Sequence, residues 1–150
     1  MSDSEYLRAS ALLCNCTAIR QAARHMTRFY DNCMAEVDLR STQYIILLFL
    51  SRQGPVTMAV LAEAIVMDRT TMAHNLQPLE RQGLVVIRAG EKDRRSRVVS
   101  LTAGGEQKVL DGQAAWQRAQ DEFEGKFGHS KANIMRKMMA EVVETDVRSS

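Results

Sequence analysis

The sequence predicts a mainly α-helical chain with a small β-hairpin wing, a winged helix-turn-helix flanked by long N- and C-terminal helices. Three observations predict it. Apolar residues recur at helical steps of three and four through most of the 150 residues. Two β-branched runs, 84–88 and 97–101, interrupt that pattern and are joined by a polar stretch containing Gly90. Two short helical segments with a tight connection stand directly before the hairpin, the arrangement of a helix-turn-helix.

The first segment carries Leu12, Cys16, Ile19, Ala23, Met26, Tyr30, Cys33 and Val37 on one stripe, with no Gly or Pro from 5 to 37. This reads as one long amphipathic helix. A single 150-residue globule has little use for such a helix, and helices of this kind often pack against a partner chain. A second helix begins near Ser41 and stops at Gly54-Pro55; its interior, Tyr44 to Leu50, is apolar nearly all round and so buried. Thr57 caps a third, with Leu61, Ala62 and Ile65 inward. After Val66-Met67, Asp68 caps a fourth, whose inner face is Met72, Leu76, Leu79 and Ala73. Pro78 is expected to bend that helix, and Gly83 to end it in a left-handed conformation. Beyond the hairpin, Thr102 caps a fifth helix with Val109, Gly112, Trp116, Ala119, Phe123 and Phe127 along one side. Gly128 closes it, and Ser130 opens a last helix carrying Ile134, Met135, Met138, Met139, Val142 and Val143.

Charge is unevenly placed. Between Arg69 and Arg97 there are seven basic residues and three acidic ones, a local +4 in a chain whose net charge is +2. A basic patch on a near-neutral body fits a polyanion bound along one face; a solvated hairpin tip would have the same composition. Three cysteines, an odd number, argue against a disulfide framework. Cys14-x-Cys16 with three scattered histidines is a poor metal pattern, and no phosphate-binding glycine loop is present. No nucleophile–base pair stands out, so the chain does not read as an enzyme, and no metal or cofactor is expected. The start lacks a secretory pattern and no apolar run approaches the ~20 residues of a membrane span. The expected location is cytoplasmic.

Two groups of residues carry recognition chemistry. On the fourth helix Arg69, Thr70, Thr71, His74, Asn75 and Gln77 point outward, with donors and acceptors long enough to reach base edges or phosphates. At the hairpin tip Lys92, Arg94, Arg95 and Arg97 crowd together, and arginine is the residue that enters a narrow, electronegative minor groove. Asp93 stands among them. It either orients the Arg95 guanidinium or makes a local ion pair that steadies the turn.

Asp93-x-Arg95 followed by Leu101-Thr102 resembles the wing signature of MarR-type winged-helix regulators. The run from Asn75 to Val85 is similar to that family's recognition helix and its exit, Pro78 included, and 57–64 to the helix before. One departure is visible. The family commonly has Leu-Thr-x-x-Gln at the start of the second helix; here it is Leu39-Arg40-Ser41-Thr42-Gln43, so Arg40 replaces a threonine cap and Ser41 is left to cap one residue later. The resemblance implies a homodimer built from the first, fifth and sixth helices. The organisation is then a helical dimerisation region, 1–38 and 103–150, intertwined with a DNA-binding region, 39–102. It implies a pseudo-palindromic operator, usually repressed, with recognition helices roughly 34 Å apart. It also implies a small aromatic or anionic inducer, or an oxidant.

Cys14, off the apolar stripe, with Arg20, Arg24 and His25 farther along, are the candidates for a ligand or a reactive thiolate. Cys16 and Cys33, on the stripe, are expected to be buried. The expected function is a sequence-specific, double-stranded-DNA-binding transcriptional repressor released by a ligand. The alternatives are a thiol-redox-sensing regulator of the same fold, or a winged-helix protein-interaction module without DNA recognition.

Overall fold

The computed structural model describes residues 1–11 and 13–147, Ala11 by its backbone alone. The elements run α1 (Asp3–Ala11), α2 (Asn15–Met34), a single 3-10 turn (Ala35–Val37), α3 (Ser41–Gln53), β1 (Val56–Thr57), α4 (Met58–Ile65), α5 (Arg69–Arg81), β2 (Val85–Ala89), β3 (Arg97–Leu101), α6 (Ala103–Phe127) and α7 (His129–Glu144). Two compact units divide the chain, residues 1–116 and 117–150. Among the described residues no helix is long and apolar enough to cross a membrane.

The first expected helix is two helices. Cys14 takes extended backbone angles, φ −113° and ψ 115°, and α2 starts anew after it. Ser2 and Glu5 close the start of α1 reciprocally: the Ser2 amide donates to Glu5 Oε2 at 2.7 Å, and the Glu5 amide to Ser2 Oγ at 3.3 Å. Of the predicted stripe, Leu12 lies outside the described residues. Cys16, Ile19 and Ala23 are exposed, and Met26, Tyr30 and Cys33 are half-buried. The burial expected of Cys16 is therefore not found; Cys16 is exposed in the first turn of α2.

The core of the first unit is built as the pattern requires. Tyr44, Ile46, Leu47 and Leu50 of α3 are buried against Leu61 and Ala62 of α4, Met72, Leu76 and Leu79 of α5, and Val85 and Val99 of the sheet. Each fully buried side chain of this size contributes roughly 1.5–3 kcal/mol by leaving water. The start of α3 is held in a way the sequence did not disclose. Ser41 does not cap; it is the first helical residue, and both its amide and its hydroxyl donate to Asp31 Oδ1 of α2, each at 2.7 Å. Gln43 Oε1 reaches back to accept from the Arg40 amide at 2.9 Å. Arg40 in the threonine position is thus offset by the Asp31 carboxylate, ten residues before Ser41 and favourably placed at a helix N-terminus.

The expected hairpin is a three-stranded antiparallel sheet in the order β1-β3-β2. Val85 pairs with Leu101, Ile87 with Val99 and Arg88 with Val98, while Thr57 pairs with Val98 on the other side of β3. The sheet closes onto α6 through Thr102. Its amide donates to the Leu84 carbonyl at 3.1 Å, its hydroxyl donates to Gly83 O at 2.6 Å, and Oγ1 accepts from the Gly105 amide at 3.0 Å. Gly83, at φ 71°, supplies the left-handed turn expected there.

In the second unit the loop at Gly128 (φ 112°) joins the end of α6 to α7. Glu124 accepts from Arg136 and lies 3.1 Å from His129 Nδ1. Phe123 and Phe127 stack at 5.1 Å, with the Lys131 ammonium 4.5 Å above the Phe127 ring. Ala132 is buried, whereas Ile134, Met138, Met139, Val142 and Val143 of α7 are exposed.

Candidate nucleic-acid interface

The α4–α5 turn sets the direction of the outward face. Thr57 Oγ1 accepts from the Val60 amide at 3.2 Å to start α4. The helix stops at Val66, held left-handed at φ 57° and ψ 51°, with the Met67 amide donating back to Ala62 O at 2.8 Å. A β-branched residue is strained in that conformation. Asp68 then caps α5 doubly, accepting from the Thr71 amide at 2.8 Å and the Thr71 hydroxyl at 2.7 Å. These bonds, the backbone one first, hold the Asp68 carboxyl below its ordinary range.

With Met72, Leu76 and Leu79 turned inward, the exposed row on α5 is Thr70, His74, Gln77 and Arg81, with Arg69 beside it at the first turn. Five of the six expected helix residues (Arg69, Thr70, Thr71, His74, Gln77) are therefore exposed, and Asn75 is half-buried. Two of the six have internal bonds. The Thr71 hydroxyl is bonded to the cap, and half-buried Asn75 donates to Thr71 O at 2.8 Å and lies 3.7 Å from Met67 Sδ. Their remaining acceptor oxygens still belong to the face, but their orientation is set by the turn. Arg81 was not singled out from sequence, though its position four residues after Gln77 places it in the same row.

At the wing tip Lys92, Asp93, Arg94, Arg95 and Arg97 are all exposed. Asp93 Oδ1 accepts from the Arg95 backbone amide at 3.0 Å, and its carbonyl accepts from the Ser96 amide (3.1 Å) and hydroxyl (2.6 Å). Among the described residues no ion pair joins the Asp93 carboxylate to the Arg95 guanidinium. Asp93 fixes the turn that carries Arg95 rather than gripping its head, because a carboxylate two residues back reaches the backbone N–H more readily than the end of a long side chain. Gly90 is buried under this turn; a Cβ there would lie 2.2 Å from Ser96 Oγ and 2.8 Å from Asp93 O. The three arginines thus project from a hydrogen-bonded tip.

The four expected ligand residues are less gathered. Cys14, Arg20, Arg24 and His25 are all exposed. Hydrogen bonds from Thr17, its hydroxyl first, and a weaker one from the Cys16 backbone hold the Cys14 thiol below its ordinary range. Arg24 borders a shallow cleft on α2 with Arg28 and Asp31. A second, more apolar cavity of about 620 Å³ lies within the first unit, lined by Met26, Tyr30, Ile45, Ile65, Met67 and Trp116 among others. None of the four expected residues lines it. Tyr30 and Trp116, whose rings are 5.0 Å apart, were legible only as stripe residues.

A profile described as the MarR family matches residues 37–96. The organic hydroperoxide resistance transcriptional regulator of Bacillus subtilis is 30% identical over 90 residues, a match covering 60% of this chain and 61% of that protein. The transcriptional regulator MosR of M. tuberculosis, solved in complex with DNA, is 31% identical, with a TM-score of 0.73 over 88% of this chain and 99% of that one. BpsR of Bordetella bronchiseptica shares the fold, with a TM-score of 0.79 at 17% identity over 89% of this chain and 95% of that one.

Proposed function

The chain belongs to the MarR family, and from that premise we propose that it is a homodimeric, sequence-specific DNA-binding transcriptional repressor of the cytoplasm. The observation that carries this reading is a single one. One compact unit presents an outward polar row on α5 and a hydrogen-bonded arginine tip on the adjoining hairpin. The first suits base edges in a major groove and the second suits a flanking groove. Arg69, Thr70, Thr71, His74, Asn75 and Gln77 contact bases or backbone; Lys92, Arg94, Arg95 and Arg97 engage the wing groove, and Asp93 shapes the turn that aims Arg95. The M. tuberculosis relative, solved on DNA, supports the same use of the fold.

Residues 1–38 and 103–150 supply the dimer contact. Support comes from apolar side chains that this chain leaves uncovered, Ile19 on α2 and Ile134, Met138 and Val142 on α7. An inducer of aromatic or anionic character takes the cavity beside Tyr30 and Trp116. Arg24 borders the neighbouring cleft on α2, which shares Ala23 and Thr27 with that cavity's lining, and is the candidate to meet an anionic group there. Selection of random duplexes by the purified protein tests the reading: an enriched, two-fold symmetric sequence is expected. Recovery of no preferred sequence would leave a winged-helix module for protein contacts instead.

A second reading concerns the release step. Cys14 is an exposed thiol at the start of α2 whose pKa is lowered, and the B. subtilis relative is named for organic hydroperoxide resistance. In this reading the Cys14 thiolate attacks the peroxide, the O–O bond breaks, and a sulfenic acid and an alcohol form. The neighbouring Cys16 thiol then displaces water to give a disulfide. Mass spectrometry after mild peroxide decides it; unmodified Cys14 and Cys16 would exclude the redox form.

A further inference from the structure

The outer face of the wing sheet has a use that the recognition row and the arginine tip leave unfilled. Thr57, Val98 and Arg88 form one cross-strand row, and Ser100 continues the same face along β3. The tip curls back over this face, with the Gly90 amide donating to Ser96 O at 3.0 Å. The result is a concave groove of about 660 Å³ floored by Arg88 and Val98, with Thr57, Ser96, Ser100 and Lys92 around it. Glu91 also borders it, and Asp93 does so with one carboxylate oxygen already engaged by the Arg95 amide.

We propose that this groove is a clamp for one strand of the DNA backbone, in which Arg88 and Lys92 meet a phosphate and the Thr57 and Ser100 hydroxyls meet phosphate or sugar oxygens. The proposal rests on the reading that the chain binds duplex DNA. Three features select a phosphate over a base edge. Arg88 issues from the face of β2, one residue before its end, and not from the projecting turn, so it meets what lies against the sheet. Its companions are small hydroxyls, the partners of backbone oxygens. The groove's rim includes Asp93 and Ser96 of the turn that carries Arg94 and Arg95, so a strand leaving the wing groove passes beside it. The first amides of α4, just past Thr57, add a favourable field for an anion.

Phosphate contacts and base contacts are separable by salt. Each phosphate neutralised adds about 0.9 to the slope of log affinity against log salt, whatever the sequence. The full-length protein and its Arg88→Gln variant are titrated by fluorescence anisotropy against the selected operator and a scrambled duplex, at about 50 and 200 mM salt. Arg88→Gln is expected to weaken both duplexes by the same factor, and to shrink the salt-induced loss by about 12-fold, one contact being removed from each protomer of the dimer. Arg88→Lys is expected to restore the slope. An unchanged slope, or a loss confined to the operator, would overturn the clamp. Wild-type protein that binds neither duplex would instead overturn the DNA reading itself. Should Arg88→Gln lose its thermal unfolding transition, Lys92→Gln in the exposed loop carries the same expectation of a reduced slope, and an unchanged slope there overturns the clamp equally.

Discussion

Arg95 projects from a turn whose backbone is fixed by Asp93, and this division of labour makes the two side chains separable. Arg95→Ala is expected to lower operator affinity by about 1–3 kcal/mol, the range for a good groove contact, with stability unchanged. Binding equal to wild type in a gel-shift titration would remove Arg95 from the interface. Val66 is a different kind of residue, exposed and left-handed at φ 57°. Glycine relieves a penalty of about 1–2 kcal/mol there and adds back roughly 0.5–1 in unfolded-chain entropy. Val66→Gly is therefore expected to raise the unfolding free energy by up to about 1.5 kcal/mol in urea; a loss would mean that the Val66 side chain does more than turn the chain. Asp68 supplies a pH test. Its folded pKa is lowered by the Thr71 bonds, so its contribution is present above the unfolded pKa and disappears as pH falls through the lower, folded value. The stability gap between wild type and Asp68→Asn should accordingly close in acid. At this scale the sequence told which residues are polar and near the turn, and it named five that are exposed at the start of α5. It did not tell that the Thr71 hydroxyl is bonded to the Asp68 cap or that Asn75 is half-buried on the Thr71 carbonyl, because a hydroxyl or amide on a helix start serves a cap or a ligand with the same atoms.

Elements were legible where a period was long enough to read. α5 and α6 repeat an apolar face over three turns or more and α3 is apolar nearly all round; Met72, Leu76 and Leu79, Val109 and Ala119, and Tyr44, Leu47 and Leu50 are buried as the pattern requires, while Trp116, Phe123 and Phe127 are half-buried. β1 is two residues after Gly54-Pro55, too short to show any alternation, and the third strand of the sheet was missed for that reason. The break between α1 and α2 was missed because neither Gly nor Pro marks it; the chain turns at Cys14 without a residue that demands a turn. Gly105 shows the opposite case, a residue whose need is visible only in three dimensions. It is buried in the first turn of α6, and an added Cβ would lie 2.2 Å from the Leu84 carbonyl oxygen and 2.4 Å from Leu101 Cδ1. That carbonyl also accepts from Thr102, so the backbone cannot retreat without releasing the join between wing and helix. Although alanine favours helix by about 1 kcal/mol over glycine, Gly105→Ala is expected to lower stability by a net 1–3 kcal/mol or so. Thermal unfolding checks this, and an unchanged midpoint would show the sheet and α6 to be loosely joined.

For the whole molecule, the proposed function depends on two copies acting together. One recognition helix and one wing cover a half-site, and only a two-fold partner places a second set about one DNA turn away. In the proposed function the apolar side chains exposed on α7 hold that partner. They were legible in sequence as a Met-rich stripe, though not as exposed ones, because periodicity marks an apolar face without saying whether the same chain or another covers it. Met138→Glu puts a charge on that face and changes no residue of the wing or the recognition row. Burying an unpaired carboxylate between copies is costly enough to favour separation. Sedimentation should then show monomer, and affinity for the full operator should fall by about 10²–10⁴, the advantage lost when two linked sites become one. Affinity for an isolated half-site should stay as in wild type, since α5 and the hairpin tip belong to the other unit. A variant that stays dimeric would move the interface away from α7, and a monomer that keeps full operator affinity would mean that a single copy reads the site alone.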